Sequence, residues 1–463
     1  MSSESIAGRL DRAKRDIARY NPQFRAFSYL ATHDEALIAL LDREQTAGQL
    51  RSDIHGLSLS VKGSIPVAGL PWTEGSAIFA DRVAAKDATV VARARSAGTV
   101  VLGTTTLSEL AMYGVDNPFE PMGLNPWNVR RTAGGSSTGA GVACTLGLAD
   151  INIGTDSGGS IRNPACHCGV VGFMPRIGAL STEGTPGHSP SLSSIGLITH
   201  SVALLRRAFH VLSGDAGAAT ASRRLIVPSQ LISEMSDERT RTLFDAAREG
   251  LLAAGFTLIE RPIEGWLAAE NAAGIISLYE GGQSLATMDL TSASQGIRDR
   301  AAQGQALTRE DLEAAWRIAR QFKTALHQAL VETDADAVLT PTWPFAAPLI
   351  EASEVPVNGR MVPLNPHRNC FVRAANAIDA CALTLPAGLY AEESVPFGIH
   401  LMALGGSELR LLAAAAAVEA ALPPPPRLPL LGRKTVAAEP NSPIMNLAQP
   451  AMSNRSADQS ERQ

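Results

Sequence analysis

The spacing of apolar residues changes near residue 57 of the chain. Before that point, apolar residues recur every three or four positions over 3–20, which predicts an amphipathic helix that Asn21-Pro22 would end. A second helix is predicted over about 33–49. After residue 57, short apolar runs alternate with helical stretches and glycine-rich loops, a pattern typical of a mixed α/β sheet covered by helices. The predicted strands are 57–65, 99–102, 151–153, 169–173, 337–341 and 397–401. Besides the first two helices, helices are predicted over 88–97, 239–254, 309–331 and 407–422.

The last forty or so residues differ in composition from the rest. Four consecutive prolines occupy 423–426, and beyond Lys434 the chain is rich in Ser, Asn, Gln, Ala and Pro with little periodicity. Such a segment has too little apolar surface to form a packed core. We therefore predict a Pro-rich, disordered tail over 423–463.

Composition limits the classes of partner. With 40 basic and 45 acidic residues among 463, the net charge is −5, so no basic surface for nucleic acid is indicated and no nucleic-acid partner is expected. No apolar run reaches the ~18 residues of a membrane span, so no membrane partner is expected. No secretory signal is visible at the N-terminus, and the five cysteines are odd in number. These features predict free thiols and a cytoplasmic protein.

Serine, glycine and lysine form the candidate chemistry. Gly134-Gly135-Ser136-Ser137 precedes Gly158-Gly159-Ser160, and Lys62 lies upstream of both. Serine is a weak nucleophile until a base takes its proton. If the second glycine-rich segment turns sharply, the backbone N–H groups of residues 157–160 can converge on the oxyanion that forms when Ser160 attacks a carbonyl. By itself, each of these short motifs is more typical of a simple turn.

Two further inferences concern the base and the relay. Lys62 follows the apolar-leaning run 57–61, and burial would lower the pKa of its amine so that it could accept a proton near neutral pH. Ser136 or Ser137 could pass that proton, because a hydroxyl can donate and accept at once. Either serine could instead cap the helix predicted after it.

Taken together, these residues resemble the amidase signature family. The similarity covers about residues 5–422 and is most specific from Gly134 to Arg162, where Gly-Gly-Ser-Ser is followed by Gly-Thr-Asp-Ser-Gly-Gly-Ser-Ile-Arg. Other segments that fit include Val61-Lys62, Gly103-Thr104-Thr105, Asn125-Pro126, Leu339-Thr340-Pro341-Thr342, Pro386-Ala387-Gly388 and Pro396-Phe397-Gly398.

The resemblance implies an α/β amidase signature fold, with a central mixed sheet flanked by helices on both faces. It implies one domain over 1–422, a core motif over about 57–210 and a helical, variable insert over about 225–335. The implied catalytic triad is Ser160 as nucleophile, Ser136 as relay after a cis peptide bond, and Lys62 as base. The N–H groups of Ser157, Gly158, Gly159 and Ser160 would form the oxyanion hole, and no metal or organic cofactor is implied.

Several positions depart from the family pattern without removing a member of the triad. Gly63 stands where an aspartate usually follows the lysine, so no side chain there can orient the amine. The other departures are Thr138, Ala140, Met174, Arg176, Ser193, Asp379 and His400.

Two rival sites have weaker support. Gly135-Ser136-Ser137-Thr138-Gly139 also matches the nucleophile elbow of α/β-hydrolases, with Ser137 central, but the preceding segment is a poor strand. The late histidines that could complete such a site are His327, His367 and His400. Cys166-His167-Cys168 offers metal-ligand types, but no second ligand pair stands at suitable spacing.

The function predicted from these observations is hydrolysis of the C–N bond of a small carboxylic amide through an acyl-enzyme. Met112, Tyr113 and Arg131, with residues 186–195, are predicted to line the substrate pocket, and Arg131 could hold a substrate carboxylate. The expected partner is a small-molecule amide, with a homodimer as the candidate assembly. Two alternatives stay open: the amidase (A-type) component of a tRNA-dependent amidotransferase, and an inactive scaffold on the same fold.

Overall fold

A single sheet of eleven strands forms the centre of the molecule. The computed structural model describes residues 4–112, 117–215, 217–424 and 428. The strands are β1 (Phe27–Leu30), β2 (Ser58–Lys62), β3 (Val100–Thr105), β4 (Ile151–Asp156), β5 (Val171–Met174), β6 (Ser194–Thr199), β7 (Arg224–Val227), β8 (Thr257–Glu260), β9 (Ala337–Pro341), β10 (Glu354–Val357), β11 (Arg360–Pro363), β12 (Ala380–Tyr390) and β13 (Val395–Leu404). Their order in the large sheet is β1-β3-β2-β4-β6-β5-β12-β13-β9-β7-β8, while β10 and β11 form a separate hairpin.

Helices flank this sheet. They are α1 (Ile6–Phe24), α2 (Glu35–Thr46), α3 (Thr89–Ser96), α4 (Thr138–Thr145), α5 (Arg162–Cys168), α6 (Val202–Ser213), α7 (Ser229–Met235), α8 (Glu238–Ala253), α9 (Trp266–Leu285), α10 (Gln295–Gln305), α11 (Arg309–Thr333), α12 (Leu364–His367), α13 (Ala374–Ala377) and α14 (Glu408–Ala421). Successive residues of β3 show that both faces are covered, because Val101 packs in one buried cluster while Val100 and Leu102 pack in another. The predicted mixed sheet between helices is confirmed.

The sheet mixes parallel and antiparallel pairs. Strand β2 runs parallel to both β3 and β4, whereas β12 and β13 form a long antiparallel pair. Because β2 and β4 are parallel neighbours, their carboxyl ends lie at the same edge of the sheet. Lys62 ends β2 and Asp156 ends β4, so the fold brings these two residues, which are far apart in the sequence, to one place.

Small residues let α4 pack deep in the molecule. All eight of its residues are buried. A Cβ atom on Gly139 would lie 2.2 Å from the carbonyl oxygen of Ala26 and 2.6 Å from the amide nitrogen of Thr106, so only glycine permits this approach. The close packing fixes the segment just before α4, which carries Ser136 and Ser137.

The first helix is longer than the sequence predicts. It continues through Pro22 to Phe24, and Arg25 then takes a left-handed conformation with φ of 52°. Asn21 does not end the helix; its side chain instead holds the next strand, since it accepts from the N–H of Phe27 and donates to the carbonyl of the same residue.

The compact unit includes everything described, from the first helix to Leu428. Leu428 is 5% exposed and packs in the same cluster as Ile6 and Leu10. Of the predicted tail, 425–427 and everything from 429 onward lie outside the described residues. Among the helices of the described ranges, none combines the length and apolar character needed to cross a bilayer.

Candidate active site

Lys62 is enclosed at the end of β2. Its side chain is fully buried, and its Nζ donates to Ser136 Oγ at 2.7 Å and to Thr155 Oγ1 at 2.8 Å. Burial lowers the pKa of this amine to about 7, although the negative charges of Asp156 and Glu74 oppose the shift. The hydroxyl of Thr155, which the sequence reasoning did not single out, orients the Lys62 amine. Gly63 has no side chain that could do so.

Ser136 lies between Lys62 and the start of α4. The peptide bond joining Gly135 to Ser136 is cis, and Ser136 is 1% exposed. Its neighbour Ser137 precedes α4, as expected of a capping position, but its hydroxyl donates to the carbonyl of Thr155 and not to the helix. Only Ser136 of the two contacts the lysine.

Ser160 lies in the loop between β4 and α5 and lines a cavity. The amide of Ser137 donates to the Ser160 carbonyl at 3.1 Å, which ties the two serine segments together. The described side chains of Ser136 and Ser160 share no hydrogen bond within 3.5 Å. Catalytic hydrogen bonds are often long before substrate binds, so this geometry is compatible with proton transfer between the two hydroxyls in a substrate complex.

Asp156 organises the loop that carries Ser160. Its carboxylate accepts from the N–H groups of Gly158 and Gly159 through Oδ1, and from those of Ile161 and Arg162 through Oδ2. The Arg162 guanidinium donates to both carboxylate oxygens, with Nε 3.0 Å from Oδ2 and Nη2 2.9 Å from Oδ1. Burial alone would raise the pKa of Asp156, but Arg162 and these hydrogen bonds hold that pKa well below its usual range.

The hydrogen bonds of Asp156 reduce the number of backbone N–H groups that are available for the predicted oxyanion hole. The N–H groups of Gly158 and Gly159 are occupied by Asp156, at 3.2 Å and 2.7 Å. In the described part of the chain, the N–H groups of Ser157 and Ser160 have no partner, so they are the donors left for an oxyanion. Two of the four predicted donors thus have a structural role here.

His400 belongs to the same buried network and not to a nucleophile elbow. Its Nε2 lies 3.1 Å from a guanidinium nitrogen of Arg162. Since arginine only donates, Nε2 accepts and the proton of the neutral ring is on Nδ1. Burial, and then the charge of Arg162, lower the pKa of His400 well below its usual value. The hydroxyl of Ser137 donates to a backbone carbonyl, and Nε2 of His400 accepts from Arg162. Ser137 and His400 therefore do not form the nucleophile and base of the rival elbow.

The Cys166-His167-Cys168 segment is helical and not extended, since it ends α5. The His167 ring packs edge-on against Trp343, with centroids 4.2 Å apart. Burial lowers the pKa of His167 to about 3 and raises that of Cys166 to about 12. These are core side chains behind the Ser160 loop.

The cavity that Ser160 faces has a volume of about 520 Å³, a size typical of sites for small ligands. Met112 lines it, as do most of residues 186–195, whereas Tyr113 lies outside the described residues. Basic and acidic side chains also line it: His188, which falls in the predicted segment 186–195, and four that the sequence reasoning missed, Glu74, Arg300, Arg368 and Arg373.

Arg131 is placed elsewhere. Its guanidinium donates to the carbonyl of Ala347 at 2.6 Å and lies 3.8 Å from Glu393, and it is not among the residues lining the cavity. Nearness to Ser136 in the sequence suggested a pocket position, but Arg131 closes a turn with Asn128 and forms a β-bridge with Leu349. The structure does not bring Arg131 to the site.

Comparison with known proteins decides the family. The chain matches the amidase family over residues 10–412, which is most of its length. The chain belongs to the amidase family. A crystal structure of an amidase superposes with a TM-score of 0.84 at 27% identity, covering 91% of this chain and 97% of that one. Members of this family act on amide C–N bonds, and the chain is therefore an enzyme of that class. This excludes the alternative of an inactive scaffold.

Curated relatives correct the expectation about partners. The A-type component of the glutamyl-tRNA(Gln) amidotransferase from Prochlorococcus marinus is 30% identical, with 86% of this chain and 90% of the relative covered. The corresponding protein from Sulfurisphaera tokodaii is 28% identical, covering 82% and 89%. The expectation of a small-molecule amide with no nucleic acid, as a homodimer, was therefore wrong. Net charge describes one chain's surface and cannot exclude a nucleic acid held by another protein of a complex.

Proposed function

We propose that this amidase cleaves a carboxamide through an acyl-enzyme on Ser160, with Ser136 as relay and Lys62 as base. The observation that carries the proposal is the 2.7 Å contact of a fully buried Lys62 amine with Ser136, beside a cavity lined by Ser160. A buried amine with a pKa of about 7 is neutral in a large fraction of molecules near neutral pH, as a base must be.

In the proposed cycle, one proton moves from Ser160 through Ser136 to Lys62 and then to the leaving nitrogen. Neutral Lys62 accepts the Ser136 proton while Ser136 accepts the Ser160 proton, and Ser160 Oγ attacks the amide carbon. The N–H groups of Ser157 and Ser160 hold the oxyanion. The proton returns through Ser136 to the leaving nitrogen as the C–N bond breaks. Water then attacks the ester by the same route, releasing the carboxylate.

We further propose that the ammonia serves a second reaction, with this chain as the amidase component of an amidotransferase that acts on glutamyl-tRNA. The support is the name shared by the curated relatives, which match over four fifths or more of this chain. A second candidate is hydrolysis with release of ammonia or an amine to water, which the 27% identity to a solved amidase favours.

Ammonia release distinguishes the two candidates. The chain would be assayed with a panel of amides, first isolated and then with the other proteins of the relatives' complex and glutamyl-tRNA. Strong stimulation, with amidated tRNA as product, is expected for the amidotransferase component. Full activity of the isolated chain that the additions do not change would instead support the hydrolase.

The pH dependence of turnover tests the role of Lys62. Protonated lysine cannot accept a proton, so kcat/KM is expected to rise with pH and level off above the amine's pKa of about 7. Because Glu74 raises that pKa, Glu74→Gln is expected to move the rising limb to lower pH. The measurement is kcat/KM from about pH 5 to about pH 9. A flat profile in both proteins would show that Lys62 is not the base.

A further inference from the structure

Two serines face each other where β4 ends and β6 begins. The antiparallel pairing of these strands reaches Asp156 and Ser194, so the next residues along the two chains, Ser157 and Ser193, also lie opposite each other. Both line the same cavity as Ser160. The sheet therefore brings the turn before β6 against the start of the loop that carries the proposed nucleophile.

The hydrogen bond between the two serines has a defined direction. Ser193 Oγ lies 2.8 Å from the carbonyl oxygen of Ser189, which can only accept, so the single proton of the Ser193 hydroxyl is used there. The Ser157 hydroxyl, 2.5 Å from Ser193 Oγ, is therefore the donor in the contact between them. Within the described ranges, the Ser157 side chain has no other hydrogen-bond partner.

Ser193 is itself held firmly. The carbonyl of Ser189 also accepts the backbone N–H of Ser193 at 3.0 Å, which closes a tight turn before β6. The hydroxyl of Ser189 lies 3.2 Å from both the hydroxyl and the carbonyl oxygen of Ser277 on α9. The oxygen that Ser193 offers to Ser157 is thus fixed by its own turn and, through Ser189, by that helix.

The backbone N–H of Ser157 is one of the two donors left for an oxyanion. Asp156 fixes the amides of the two glycines that follow Ser157, but it makes no hydrogen bond with the Ser157 N–H. A donor in an oxyanion hole is effective only when it already points at the place where charge will develop. The bond to Ser193 fixes the Ser157 side chain and, through its Cα, the orientation of this N–H.

We propose that Ser193 is a positioning residue for the reaction, because its oxygen holds the Ser157 hydroxyl and so aims the Ser157 N–H at the oxyanion. Loss of a whole oxyanion-hole donor typically lowers kcat by ~10²- to 10³-fold, and a donor that is present but badly aimed loses part of that effect. The inference rests on the proposed function, since an oxyanion arises only if Ser160 attacks a carbonyl.

Reaction with a fluorophosphonate tests this role without a known amide substrate. Ser160 Oγ bonds to phosphorus and the P–F bond breaks to release fluoride, while the Ser160 proton passes through Ser136 to Lys62. Negative charge develops on the phosphoryl oxygen, where the N–H of Ser157 can stabilise it. In Ser193→Ala the maximal labelling rate is expected to fall ~10- to 100-fold, while the concentration giving half that rate changes less than about twofold.

Further variants separate aiming from a general loosening of the turn. Ser193→Thr keeps the hydroxyl and is expected to restore most of the rate. Ser157→Ala removes the other partner of the same bond, so it should be about as slow as Ser193→Ala, and the double variant should be no slower than either. Ser191→Ala is the matched control with an unchanged rate, because Ser191 is exposed in the same turn and is not among the residues that line the cavity. Circular dichroism and urea unfolding check that the variants are folded.

The outcomes separate this inference from the proposed reaction. The role of Ser193 is overturned, and the proposed function stands, if wild type is labelled on Ser160 and Ser193→Ala is labelled equally fast. The same conclusion follows if Ser193→Thr is no faster than Ser193→Ala, or if the losses of the two single variants add in the double variant. If the fluorophosphonate does not label Ser160 in the wild-type protein, the proposed function fails and this inference fails with it.

Discussion

Ser160→Ala is expected to lower amide hydrolysis by at least ~10⁴-fold, because the loss of the nucleophile removes the acyl-enzyme route altogether. Substrate binding should be little changed, since the hydroxyl is one small group in a cavity of about 520 Å³. The measurement is ammonia release at saturating amide, with calorimetry to show that the amide still binds.

Ser137→Ala is the matched control for that experiment. Ser137 is a neighbouring buried serine, but its hydroxyl is bonded to the Thr155 carbonyl and does not reach Lys62. We expect Ser137→Ala to keep most of the activity and a fluorophosphonate to label Ser160 alone. Label on Ser137, or equal loss of activity in both variants, would instead support the nucleophile elbow and reject Ser160.

The order of motifs along the chain indicated which residues meet beside the cavity better than it indicated which residues form the cavity wall. Lys62, Ser136 and Ser160, the proposed catalytic residues, could be singled out because each lies next to glycines or an apolar run in motifs that resemble the amidase signature family. Arg300 and Arg373 could not, since they lie 140 and 213 residues beyond Ser160 and reach the cavity only through the packing of α9 and α10. Nearness in sequence suggested Arg131 instead.

Asp156 shows a second limit of the sequence reasoning. Its position in the motif was plain, but a carboxylate before two glycines does not reveal that it will accept their N–H groups. The sheet shows a similar limit, because alternating helices and strands predict α/β layers but not which strands pair. The pairing of β2 with β4 depends on contacts more than ninety residues apart, such as the bond between Ser60 and Asn152.

Asp156→Asn is expected to destabilise the folded protein by about 3–5 kcal/mol, the usual cost of removing one partner from a buried ion pair. Both Asp156 and Arg162 are fully buried, so the variant leaves the Arg162 charge without its counter-charge. It also weakens the acceptor that fixes the amides of the Ser160 loop, so activity should fall with stability. Urea unfolding near neutral pH measures the change.

An exposed pair provides the matched control. Arg309 and Glu313 are separated by 3.0 Å on α11, with side chains 82% and 64% exposed, so Glu313→Gln should cost only ~0.3–0.5 kcal/mol.

The loss of stability in Asp156→Asn should also depend on pH in one direction. Because the folded protein holds the pKa of Asp156 below its unfolded value, the contribution is complete above about pH 4 and is lost as pH falls further. The gap between wild type and Asp156→Asn should therefore narrow in acid, and a gap that widened would show that Arg162 does not depend on Asp156.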